Sequence, residues 1–195
     1  SVIPLLIASI TATTVALMFR GFDPIISVTL SASDAFQLAQ IPLYVLLGVC
    51  CGLMSYYFTE VNSIVGKFVK NISSQYKRWC FAGMLLGVMI FVFPPLYGEG
   101  YEGMMALMHG NVENLFDNSL FYKFRGIEWV AIVYVIAIMF GKVVAMATTN
   151  AAGGVGGTFA PSLFVCAFMG ATVALVCNAL FDWQVSVVSF TLVGM

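Results

Sequence analysis

The chain has 195 residues, of which 61% are hydrophobic and 9% charged, and its net charge is −1. Soluble domains carry about 25% charged residues, so this composition and a mean hydropathy of +0.99 exclude an ordinary soluble domain. The near-neutral charge also excludes a nucleic-acid binder, which needs a basic surface. The composition indicates an integral membrane protein.

Six apolar runs follow one another along the chain. None alternates with a period of two, and backbone groups in lipid must be paired within the segment, so we expect helices rather than a barrel. The last run is too short to cross a bilayer core of about 30 Å, so we expect a piece of a larger membrane protein. The runs are Val2–Phe19, Ile41–Phe58, Trp79–Phe93, Trp129–Thr149, Phe159–Phe181 and Val185–Met195.

The charged residues predict an orientation. The segment Thr59–Arg78 carries four basic residues and one acidic residue, whereas Arg20–Gln40 and Gly98–Glu128 are mainly acidic. Because basic residues are enriched in cytoplasmic loops, we expect Thr59–Arg78 to be a cytoplasmic loop and the other two segments to lie outside.

The third apolar run ends at two prolines, Pro94 and Pro95, which cannot continue a helix. Gly98 and Gly100 then permit a sharp turn, and an amphipathic stretch through Met108 follows. We interpret this segment as a structural corner.

A second interruption lies between the fourth and fifth runs. Four glycines fall within five positions. Each glycine destabilises a helix by about 1 kcal/mol relative to alanine, so a helix is not expected to continue through them. Apolar sequence resumes at Phe159, and Pro161 suits a first helical turn. The pattern predicts that one helix ends near Asn150 and another starts near Thr158.

Two interpretations of this break remain open. A helix N-terminus presents unpaired N–H groups and about half a positive charge, and glycines let an ion approach the backbone. Broken helices of this kind bind substrates in transporters, and the sign of the dipole predicts an anion. The alternative is a flexible glycine hinge or a re-entrant turn without a ligand.

Lys142 is the one charged residue between Glu128 and Asp182. A lysine at the centre of a membrane helix costs about 2.5–3.5 kcal/mol. Its side chain can reach the interface as an anchor and can raise the anion concentration in an inner vestibule of a pore, and the two roles are not exclusive.

The sequence offers no catalytic chemistry. The five cysteines lie in apolar runs without metal-ligand spacing, and no nucleophile–base pair or acid pair lies inside a run. We predict no enzymatic activity, no catalytic residues, no metal site and no cofactor.

The stretch from Lys142 to Leu163 resembles the K…GSGGSGGxFAPSL motif of the CLC family of chloride channels and chloride/proton antiporters. The corner from Pro94 to Glu102 is similar to the family's PxxxGxGYE pattern. The resemblance implies an all-α, polytopic transmembrane fold with broken or re-entrant helices. Residues 1–195 would be its central part, about six to seven helices corresponding to helices I to N and the start of O, without a soluble domain.

The resemblance also implies a site. In the family, backbone amides at the xF positions of GGxFAP coordinate a central chloride, and these positions are Thr158 and Phe159 here. Gly156 and Gly157 would shape the approach of the anion, and Lys142 would lie in the vestibule.

This chain departs from the family pattern upstream of that site. Ala151 and Ala152 stand where the family has Gly-Ser, and Val155 replaces a frequent Ser or Pro, which puts fine selectivity in doubt. The family's other filter motifs do not occur in these residues.

The implied function is chloride transport through a voltage-gated-type channel or a chloride/proton antiporter. The implied partners are chloride, protons, the lipid bilayer and a second copy in a homodimer, with no nucleic acid; the implied location is a plasma membrane or a bacterial inner membrane. The alternative is a cation-coupled secondary transporter of a small anionic solute, which would depend on sodium. A third alternative is a membrane-embedded enzyme or a structural membrane subunit, and the enzyme is the weakest of these hypotheses because no paired acids, metal ligands or nucleophile–base pairs lie within the apolar runs.

Overall fold

The computed structural model describes residues 2–20, 40–181 and 183–195, and within these ranges the fold is seven α-helices without a β-strand. This confirms the predicted all-α class. Three of the described helices, α2, α5 and α6, are long and apolar enough to cross a membrane. The helices are α1 (Val2–Arg20), α2 (Ile41–Lys70), α3 (Gln75–Val92), α4 (Tyr101–Met108), α5 (Glu128–Ala152), α6 (Phe159–Phe181) and α7 (Val187–Gly194).

Helix α2 corrects the sequence prediction. The expected loop at Thr59–Arg78 is mostly helical, because α2 continues through Lys70 and only residues 71–74 separate it from α3. Its 30 residues span about 45 Å, more than the roughly 30 Å of a bilayer core. Lysine and glutamate are good helix formers, so these charges mark where the helix leaves an apolar environment rather than where it ends. Of the segment Arg20–Gln40, residues 21–39 lie outside the described residues.

Helices α5 and α6 form the centre of the described chain. Over half of each apolar stretch (56%) is buried inside the chain, against 11% for α2. Val135, Ile138 and Val143 on α5 are fully buried, as are Phe164 and Phe168 on α6. The rings of the two phenylalanines stack with centroids 4.0 Å apart. Among the three candidate spans, the two helices that flank the glycine-rich break are therefore the more deeply buried.

Helix α7 returns along α6. The Asn178 side chain accepts a hydrogen bond from the Val185 amide (2.6 Å) and donates one to its carbonyl (2.9 Å). A side chain at Gly170 would collide with the backbone of Phe190. Backbone-to-backbone contact of this kind, through a small residue, is common between membrane helices.

The acidic segment Gly98–Glu128 is ordered by short elements. It contains α4, which confirms the predicted amphipathic stretch, and two 3₁₀ turns, Val112–Phe116 and Tyr122–Phe124. Arg125 joins the turns by pairing with Glu113 at 2.8 Å. That hydrogen bond raises the pKa of Arg125 above its ordinary value.

Candidate functional site

The glycine-rich break has the geometry that the sequence predicts. Helix α5 ends at Ala152, two residues after the predicted end, and α6 begins at Phe159, one residue after the predicted start. Gly153 adopts the left-handed region at φ 106°, which favours glycine. The amides of Gly153 and Gly154 donate back to carbonyls in the last turn of α5 at 3.3 and 2.9 Å, a common helix C-cap.

The start of α6 presents free backbone donors. The amides of Thr158, Phe159 and Ala160 have no acceptor among the described residues, because the first turn of a helix has no preceding carbonyls to bond. Pro161 has no N–H at all. The Phe159 side chain is 73% exposed, so the described residues cover only one side of this helix start.

The corner at residues 94–100 depends on its glycines. Gly98 and Gly100 have φ values of 61° and 87°, a region that other residues rarely adopt. A Cβ at Gly100 would lie 2.5 Å from Cε2 of Phe164, whereas a Cβ at Gly98 would meet open space. Gly100 is therefore required both by its backbone conformation and by the ring packed against it.

Lys142 links the corner to the helical core. Its side chain is 3% exposed, and its Nζ donates to the carbonyl oxygens of Leu96 (3.1 Å) and Gly98 (2.7 Å). Nζ also lies 4.9 Å from the ring centroid of Phe164, a cation–π distance. The interpretation of Lys142 as an interfacial anchor is wrong, because the ammonium points into the protein.

The corner, α3, α5 and the start of α6 line a half-open cavity of about 580 Å³. It brings together four of the five residues that the sequence analysis selected, while Thr158 does not line it. These four are Gly156, Gly157, Phe159 and Lys142. The corner contributes Leu96, Tyr97, Gly98 and Glu99, α4 contributes Tyr101, and α5 also contributes Ala145, Met146, Thr149 and Asn150.

Two polar residues around the break were missed by sequence reasoning. Trp79 on α3 donates its indole N–H to the carbonyl of Ala152 (2.9 Å), which ties the end of α5 to α3. Asn150 places Oδ1 3.0 Å from where a Cβ on Gly156 would be. The sequence pattern marked Asn150 only as the predicted end of a helix. No sequence signal predicts the hydrogen bond between Trp79 and Ala152.

A family profile matches the whole chain. The family is described as "Voltage gated chloride channel", and the match covers residues 1–195. The chain belongs to the voltage gated chloride channel family. This confirms the resemblance that the two motifs indicated and the expectation of an integral membrane protein.

Three curated relatives of this chain are named chloride channel proteins. "Chloride channel protein CLC-e" of Arabidopsis thaliana is 27% identical over 82% of this chain and 21% of its own length. "Chloride channel protein CLC-f" of the same plant is 29% identical over 86% of this chain and 20% of its own. "Putative chloride channel protein ClcB-like" of Ralstonia nicotianae is 24% identical over 98% and 41%. The chain thus spans less than half of each of these relatives. No solved structure matches it significantly.

Proposed function

We propose that the protein carrying this chain moves chloride across a membrane, as a channel or as a chloride/proton antiporter. The observation that carries the proposal is the set of unpaired amides at the start of α6, which borders a cavity shared with a buried lysine. Family membership supports chloride as the ion. A helix N-terminus stabilises an anion without a full opposite charge, so the ion can leave again.

The residues have separate roles in this proposal. The amides of Thr158 and Phe159 coordinate the anion, while Gly156 and Gly157 keep the approach free of side chains. A Cβ at Gly157 meets nothing within 4 Å, so this glycine is not needed for packing among the described residues. Lys142 adds positive potential to the same cavity.

The wider architecture is part of the proposal. The chain forms the central part of a CLC-type transmembrane region, helices I to N and the start of O, with no soluble domain of its own. The full protein is a homodimer in a plasma membrane or bacterial inner membrane, with Thr59–Arg78 at the cytoplasmic side.

Chloride binding by the full-length protein tests the site directly. Calorimetry should show weaker chloride binding for the Phe159→Ala, Gly157→Val double variant than for the unmodified protein. Leu180→Ala is the matched control, because Leu180 is exposed at the other end of α6, away from the break. Unchanged chloride binding in the double variant rules out coordination at this helix start.

Flux measurements separate the transport classes. In liposomes, chloride efflux without proton movement indicates a channel, and chloride-driven proton uptake indicates an antiporter. Sodium-dependent uptake of an organic anion with indifference to chloride would instead support the cation-coupled transporter.

A further inference from the structure

One side chain holds the corner at residues 94–100 against the helical core. The ammonium of Lys142 directs two of its three N–H groups to carbonyl oxygens of the corner, those of Leu96 and Gly98. Hydrogen bonds from a charged donor are about twice as strong as neutral ones. The two acceptors flank the exposed Tyr97, so both ends of the turn are tied to the middle of α5.

Phe164 and Gly100 confine this ammonium on two sides. The Phe164 ring lies on one side, and the Cβ position of Gly100 lies 3.4 Å from Nζ. Phe164 is itself fully buried against Phe168. A compact ammonium fits this space, whereas a planar guanidinium needs more room and a different arrangement of acceptors.

The charge of Lys142 has no carboxylate in contact. Among the described residues, the ion pairs within 4 Å all involve Arg125, and Glu99 attracts Lys142 only from a greater distance. Burying a charge without an ion-pair partner is costly unless hydrogen bonds satisfy it. A methionine would fill the same volume without that cost, so packing alone does not explain the lysine.

The corner that Lys142 holds is one wall of the cavity. Leu96, Tyr97 and Gly98 line it on one side, and Gly157 and Phe159 at the start of α6 also line it. Displacement of the corner therefore changes the distance between the two walls, while the α6 amides stay in place.

We propose that Lys142 is a positioning residue that holds the corner at the width the anion cavity requires. Its role is then geometric as well as electrostatic. The inference rests on the proposed function, because it assigns the cavity to the transported anion.

The test compares Lys142→Met with Lys142→Arg and Lys70→Met in the full-length protein in liposomes. Methionine keeps the length of the stem but removes charge and donors, and arginine keeps both in a larger group. Lys70→Met removes one exposed positive charge elsewhere and is the charge control. We expect chloride flux to fall about tenfold in Lys142→Met, the scale of one lost charge-assisted hydrogen bond, with Lys70→Met unchanged.

Lys142→Arg separates geometry from charge, because arginine keeps the positive charge but places its donors in a planar fork. A purely electrostatic role predicts restored flux in Lys142→Arg. A positioning role predicts that Lys142→Arg fails to restore flux, and that the chloride-to-nitrate permeability ratio changes in Lys142→Met.

Hydrogen exchange reports on the corner itself. The amides of Leu96 and Tyr97 donate to the carbonyls of Phe93 and Pro94 within the turn. In Lys142→Met their exchange should be about tenfold faster, because local opening costs less, while exchange across residues 165–177 of α6 stays unchanged.

The outcomes are distinct. Exchange at the corner that is no faster in Lys142→Met than in the unmodified protein, or restored flux in Lys142→Arg with the corner still loosened, would each overturn the inference. Absence of chloride flux in the folded, unmodified protein would instead reject the proposed function, and with it the purpose assigned to the corner.

Discussion

Two glycine-containing turns border the same cavity, and their glycines serve different needs. At the corner, Gly100 is pressed against the Phe164 ring and has a positive φ, so no larger residue fits. In the break, Gly157 faces open space, and nothing in the described chain requires its small size for packing.

The glycine of the corner is required for packing, whereas the glycines of the break leave the start of α6 accessible. The corner is anchored in the core by the buried Leu96 and Gly100 and is held by Lys142, so this wall of the cavity is fixed. The break is exposed from Gly153 to Phe159, which leaves the helix start open to a ligand. Equivalent substitutions in the two turns should therefore affect different properties.

The largest expected effect is on stability at the corner. Gly100→Ala should lower the free energy of unfolding by about 2–4 kcal/mol, since it combines a left-handed backbone with overpacking. Denaturant unfolding in detergent measures it. Gly126→Ala is the matched control, because φ is 93° there but the space around it is open, and about 1–2 kcal/mol is expected. Equal losses in the two variants would contradict the packing argument.

A second substitution should relieve part of that loss. Phe164→Leu removes the ring atoms that a Cβ at Gly100 meets. In a double-mutant cycle, Gly100→Ala should cost about 1–2 kcal/mol less in the Phe164→Leu background than in the unmodified protein. Strict additivity of the two free-energy changes would show that backbone strain alone accounts for the cost of Gly100→Ala.

The break should be less sensitive, even where it has a tertiary contact. Trp79→Phe removes the hydrogen bond to the carbonyl of Ala152 and should lower the free energy of unfolding by about 1 kcal/mol. Trp183→Phe serves as a control, because Trp183 is comparably exposed and stacks on Phe181 instead. A loss no larger than that of the control would mean that the bond does not support α5.

The smallest effect on stability is expected at Gly157. Gly157→Ala should leave stability unchanged or raise it by about 0.5 kcal/mol through the unfolded state. Chloride affinity should nevertheless fall about threefold, roughly 0.7 kcal/mol, because a methyl group narrows the approach to the α6 amides. Denaturant unfolding and chloride calorimetry on the same preparation measure stability and affinity. A loss of stability together with unchanged chloride affinity would show that Gly157 serves packing rather than access to the anion site.

Much of the fold follows from local sequence. The bounds of α6 match its apolar run, and the prolines and glycines predicted both turns, because these residues act on their own backbone. The end of α2 was mispredicted because hydropathy reports the surroundings of a helix, and lysine and glutamate continue a helix as readily as leucine does.

Of the candidate site, the sequence by itself determined the α5–α6 break, the free amides at the start of α6 and the family. Only the tertiary structure decided that the corner belongs to the same cavity, that Lys142 points inward to Leu96 and Gly98, and that Trp79 supports the break. The physical reason is distance along the chain. These contacts join residues 44 to 73 positions apart, and such partners are set by the packing of α3, α5 and α6 rather than by any local pattern.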